Sequence, residues 1–90
     1  MRTAEARTTA LAVELAPIRV NAVAPGMVRT PMWDVMGDSG RQHMFDQAAQ
    51  QIPLGRVGEV ADTALAYLYF MEQAFGTGIV LTVDGGDVLV

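Results

Sequence analysis

Few residues in this 90-residue chain could do chemistry. It has one histidine and two tyrosines; cysteine and lysine are absent, so arginine carries every positive side chain. His43 is a lone histidine without an obvious carboxylate partner at ligand spacing, so a surface position is expected. Tyr67 and Tyr69 could donate a proton near neutral pH only beside a cation. No arginine lies at a matching i+4 spacing, and packing in a core or an interface is expected of both. Asp84 and Asp87 flank Gly85-Gly86; a metal needs more ligands than two carboxylates at a strand end, and solvated turn positions are expected. Pro25-Gly26 with Val28 and Thr30 remains. Taken singly these residues make an ordinary turn, with Thr30 before Pro31 able to cap a helix.

The elements that must position these groups can be read from periodicity. Residues 4–15 predict a helix rich in Ala and Leu and stopped by Pro17, with Leu11 and Leu15 stacked at i, i+4. Ile18 to Ala24 alternates as a strand, which Pro25-Gly26 closes. Proline and glycine break up residues 27–56, within which Arg41 to Gln51 predicts a short helix with Met44, Phe45 and Ala48 on one side. A clear helix runs from Gly58-Glu59 to about Met71, with Ala61, Ala64, Leu65 and Leu68 as its apolar stripe. Ile79 to Val83 is β-branched and nearly all apolar, as a strand buried on both faces should be. The long connection between the two strands predicts a parallel pair with a right-handed helical crossover. The fold class is therefore α/β, with two strands and flanking helices.

Composition narrows the function. The chain is 51% hydrophobic and 18% charged, richer in apolar residues than an average soluble domain. Such a short chain is expected to have faces that something else covers. A net charge of −4 provides no basic stripe for phosphates, which argues against nucleic acid as a partner. No apolar run reaches the roughly 20 residues of a membrane span. The charged Met1-Arg2-Thr3-Ala4-Glu5 start does not read as a signal peptide. Lack of cysteine excludes a disulfide framework and a thiolate metal site, and suits a reducing cytoplasm.

Three segments, in this order and spacing, resemble the last two strands and flanking helices of classical short-chain dehydrogenases/reductases. They are Leu11-Ala12-Val13-Glu14-Leu15-Ala16 running through Ile18-Arg19-Val20-Asn21-Ala22-Val23-Ala24-Pro25-Gly26 to Val28 and Thr30; Pro53-Leu54-Gly55-Arg56-Val57-Gly58-Glu59; and Thr77-Gly78-Ile79-Val80-Leu81-Thr82-Val83-Asp84-Gly85-Gly86. The resemblance covers essentially the whole chain and implies the C-terminal portion of a Rossmann-like, doubly wound fold. It also implies that Pro25, Gly26, Val28 and Thr30 form a loop over the nicotinamide of NAD or NADP. The Val28 backbone would face the carboxamide with the Thr30 hydroxyl nearby, while Gly26 would let the backbone approach a flat ring. In the same family Met32, Trp33 and Met36 fall in an apolar flap over substrate.

The resemblance also defines what this stretch lacks. The family's glycine-rich phosphate turn follows a first strand, and neither Gly76-Thr77-Gly78 nor Gly55-Arg56-Val57-Gly58 stands in for it. The family's Tyr-x-x-x-Lys pair would place its lysine at about Met1 and its tyrosine before the chain, with the catalytic serine further upstream. The expectation is a truncated oxidoreductase, inactive by itself and holding no cofactor alone. The alternatives are a half-enzyme completed by a separate N-terminal piece and a self-associating structural module. A homodimer or larger homo-oligomer is expected, through the Ala-rich helix and the open strand edge.

Overall fold

The computed structural model describes residues 2–90. Met1, where the family motif would place its lysine, lies outside them. Helix α1 is Arg2–Glu14, ending short of Pro17 because proline can neither donate to the helix ladder nor fit its backbone. Its buried residues are Thr8 and Ala12, four apart on one face. Leu11 and Leu15 are 42% and 44% exposed, so the leucine pair lies on the outer side. The alanine methyl allows the closer approach: it lies 3.6 Å from where a Cβ on Gly78 would stand.

Strand β1 is Ala22–Pro25, later and shorter than the alternation over Ile18–Ala24 predicts. Side chains, with one backbone bond from Gly78 N–H to the Val20 carbonyl at 2.8 Å, hold the preceding residues in place of a regular ladder. Thr77 Oγ1 accepts from the Val20 N–H at 3.1 Å. Asn21 donates to the Gly76 carbonyl at 3.0 Å and accepts from the Ile79 N–H at 3.0 Å, substituting for two ladder bonds. Regular pairing then begins with Ala22 N–H to the Ile79 carbonyl at 2.9 Å. Strand β2 is Val80–Val83. It runs parallel to β1, with Ala22 opposite Val80 and Pro25 opposite Val83.

A 3₁₀ turn, Pro31–Met36, leads into helix α2, Gly37–Gln51. This helix starts earlier than Arg41, because the two glycines expected to break it fall in its first turn. Gly37 uses a φ of 73° to turn the chain there. Arg41 pairs with Asp34 and Asp38, both at 2.7 Å, and ties the 3₁₀ turn to the helix. Phe45 lies on the inner side, with Met44 and Ala48 partly covered as the pattern predicts. Phe45, Ile52 and Val57 form the core, with Met27 and Trp33 packed against it.

Helix α3 is Val60–Glu72 and packs on both strands. The expected apolar stripe faces outward: Leu65 is 65% and Leu68 is 49% exposed, while Ala66 is buried. Two four-residue strands cover only a narrow helix face, and the small side chains fit it best. For the same reason no residue of β2 is fully buried and Thr82 is exposed, contrary to the expectation of burial on both faces. The radius of gyration is 15.5 Å, against roughly 12 Å for a compact chain of this length. The chain is elongated, 48 × 24 × 21 Å, with much apolar surface.

Candidate functional site: the loop after the first strand

The four residues picked out in the sequence, Pro25, Gly26, Val28 and Thr30, sit together where β1 ends. Pro25 is the last strand residue, and Gly26 N–H reaches the Val83 carbonyl at 3.1 Å. A Cβ on Gly26 would lie 2.7 Å from the Asp84 Cβ. Glycine is thus required here by contact with the chain itself, whatever else approaches it.

Beyond Gly26 the loop is clamped by a single parallel bridge between Val28 and Gly58. Gly58 N–H donates to the Met27 carbonyl and Arg29 N–H to the Gly58 carbonyl, both at 2.9 Å. In that pattern the Val28 peptide groups face away from Gly58. Its carbonyl accepts the Trp33 indole N–H at 3.0 Å, and its own N–H has no partner among the described residues. Arg29 anchors the loop further. Its guanidinium carbon lies 4.5 Å above the centre of the Phe45 ring, and its Nε is 3.2 Å from Glu59.

Thr30 sits at the N-cap position with extended backbone, φ −128° and ψ 162°, as a residue before proline should. Its hydroxyl makes no capping bond, and the helix-cap reading is thereby set aside. Among the described residues nothing else bonds it, and the group can donate and accept. A cavity of about 180 Å³ adjoins the loop, with Val28, Arg56, Asp62, Thr63 and Asp84 among its walls. Arg56 holds Asp62 through contacts of 2.8 and 3.2 Å. That guanidinium, followed by the Glu59 N–H, lowers the Asp62 carboxyl to about 2.

The other candidates fall elsewhere. His43 is exposed on α2, as expected. Tyr67 and Tyr69 are each 51% exposed, which corrects the core reading: both lie on α3, whose narrow contact face takes Ala66 instead. Asp84 accepts from the Gly86 and Val88 N–H groups at 2.9 and 3.0 Å and so organises the chain after β2. Of the apolar flap, Met32 is 67% and Met36 44% exposed, and Trp33 alone turns inward. The inward turn of Trp33 and the Arg29 contact with Phe45 had no signal in the sequence.

A nicotinamide carboxamide fits the loop: the open Val28 N–H and the Thr30 hydroxyl match its acceptor and donors. Several amides of the glycine-containing turns are already taken within the chain, Gly55 N–H among them by the Ile52 carbonyl at 2.8 Å. Gly78 N–H is bonded to the Val20 carbonyl at 2.8 Å, and Gly58 N–H is spent on the bridge.

The chain is similar to known proteins over nearly its whole length. A family model described as enoyl-(acyl carrier protein) reductase matches residues 3–87. A short-chain dehydrogenase/reductase of Stachybotrys chlorohalonatus is 42% identical over 85 residues, covering 94% of this chain and 33% of that protein. The 3-oxoacyl-[acyl-carrier-protein] reductase of Homo sapiens is 45% identical over 83 residues, covering 90% of this chain and 32% of that one. The chain thus spans about a third of the length of these relatives. Among solved structures, a small-chain dehydrogenase in complex with NADPH superposes with a TM-score of 0.89 at 44% identity, over 96% of this chain and 39% of its own. With two parallel strands, their helical crossover and the loop after β1 all matched, the chain belongs to the short-chain dehydrogenase/reductase family of Rossmann-fold oxidoreductases.

Proposed function

We propose that this chain supplies the nicotinamide-facing loop of an NAD- or NADP-dependent oxidoreductase, and that the whole protein transfers hydride between the cofactor and a carbonyl or alcohol. Pro25 and Gly26 shape the loop, while Val28 and Thr30 meet the carboxamide. One observation carries the reading: the Val28 peptide faces off its bridge beside an uncapped Thr30 hydroxyl. The NADPH held by the similar small-chain dehydrogenase supports a dinucleotide as ligand. When bound, the cofactor supplies the hydride; the residues described here orient its carboxamide.

Alone, the chain has no turnover and at most weak dinucleotide affinity, because the sequence has no lysine to pair with a proton donor and, among the described residues, the Gly55, Gly58 and Gly78 N–H groups are already bonded within the chain. A cysteine-free chain suits the cytoplasm, and none of the described helices is long and apolar enough to cross a membrane. Saturation-transfer NMR with millimolar NADPH tests the reading. Magnetisation should reach the nicotinamide protons ahead of the adenine protons. Preference for adenine, a low-micromolar dissociation constant or reproducible turnover by the pure chain would overturn it.

A second reading is favoured by the elongated shape: a chain that assembles with copies of itself, or as a half-enzyme with a separate N-terminal piece. The accessible surface is 6382 Å², against roughly 5,100 Å² for a compact monomer of this mass. The excess exceeds the roughly 800 Å² that each partner buries in a typical stable interface.

A further inference from the structure

We infer that Trp33 is a positioning residue for this loop, its indole N–H fixing the direction in which the Val28 peptide is presented to a carboxamide. The inference rests on reading Val28 and Thr30 as nicotinamide contacts and adds a residue that makes no ligand contact itself.

Trp33 holds the loop at two points. Its backbone N–H donates to the Thr30 carbonyl at 3.2 Å, and its indole N–H donates to the Val28 carbonyl at 3.0 Å. These carbonyls lie on either side of Arg29, which is itself tied to Gly58, Glu59 and Phe45. The ring packs on the core cluster of Phe45, Ile52 and Val57, so the donor is carried on a rigid base. Its neighbours Met32 and Val35 are 67% and 92% exposed and contribute no such hold.

A peptide plane turns as a unit, but the Val28 N–H and C=O belong to successive planes. The bridge restrains the segment through Met27 and Arg29; the indole bond adds restraint on the carbonyl of Val28 itself. A carbonyl oxygen has two lone pairs. One taken by the indole leaves the other for a carboxamide N–H. A phenyl ring at this position would keep most of the packing and lose the donor.

The test uses the chain itself, nitrogen-15 labelled, with nicotinamide mononucleotide as probe. In the wild type the Trp33 indole proton should exchange slowly with solvent, and millimolar probe should shift the Val28 and Thr30 amides. Trp33→Phe should weaken that response roughly three- to tenfold, the worth of one net hydrogen bond, and speed amide exchange at Arg29, whose N–H shares a peptide plane with the Val28 carbonyl and is bonded to Gly58. A purely structural Trp33 would instead change the unfolding midpoint while leaving the probe affinity of the folded fraction unaltered. Equal affinity in the two chains, or a freely exchanging indole proton in the wild type, overturns the inference; the latter needs no variant to fold. A protected indole proton with no probe-induced shift in the wild type overturns both the nicotinamide reading and the role of Trp33 in presenting it, leaving only a structural bond.

Discussion

Gly26 and Asp84 meet at the ends of the two strands so closely that a Cβ on Gly26 would stand 2.7 Å from the Asp84 Cβ and 3.0 Å from its Cα. The obstacle is backbone and Cβ, which cannot swing aside like the end of a flexible side chain. Gly26→Ala is therefore expected to destabilise the chain by about 1–3 kcal/mol through overpacking. Urea unfolding measures it. Asp84→Gly forfeits the bonds to the Gly86 and Val88 N–H groups, but the double variant should cost less than the sum of the two single ones, a coupling between touching sites, and an unchanged midpoint for Gly26→Ala would contradict the contact.

Acid should weaken the chain through Asp62. Its carboxyl is held down to about 2, first by the Arg56 hydrogen bond and then by the Glu59 N–H; the same pair raises Arg56 further. A carboxylate lowered on folding contributes stability that is complete above its unfolded value near 3.8 and is lost as pH falls toward about 2. Thermal midpoints of the wild type should drop across that window. Asp62→Asn should start lower at neutral pH and lack this part of the drop. Both partners are partly solvated, so salt should shrink the effect. A parallel decline in the two chains would remove Asp62 as its source.

Thr63 carries an oxygen buried without a hydrogen-bond partner. An unpaired buried hydroxyl is costly, and valine has nearly the same shape and helix propensity. Thr63→Val is expected to raise stability by about 1 kcal/mol, read from the urea midpoint at constant slope. A loss of similar size would mean that the hydroxyl finds a partner such as bound water.

Leu11 tests the assembly reading. It lies 42% exposed on α1, on the outer side of the Ala-rich helix expected to meet a second copy. Light scattering at micromolar concentration should show a dimer or larger species, and Leu11→Lys should shift it toward monomer. A wild-type chain that is monomeric and unfolds cooperatively would end this reading.

The sequence alone determined the element types, their order and the parallel pairing. These rest on local rules: proline ends α1, β-branched residues make β2, and so long a connection cannot be a hairpin. Only the family resemblance singled out Pro25, Gly26, Val28 and Thr30, which run from the last residue of β1 into the loop after it. What it could not supply was the direction in which each element faces. The stripe on α3 reads inward by periodicity, yet Leu65 and Leu68 lie outside and Ala66 lies inside, because periodicity reports an apolar face without saying what covers it. Likewise the strand pattern over Ile18–Ala24 begins before the ladder does, since Asn21 and Thr77 satisfy the backbone there with side chains distant in sequence. Only the tertiary structure decided that Gly26 makes room for Asp84 and that Trp33 turns back onto Val28. Both are contacts set by packing, and no spacing along the chain encodes them.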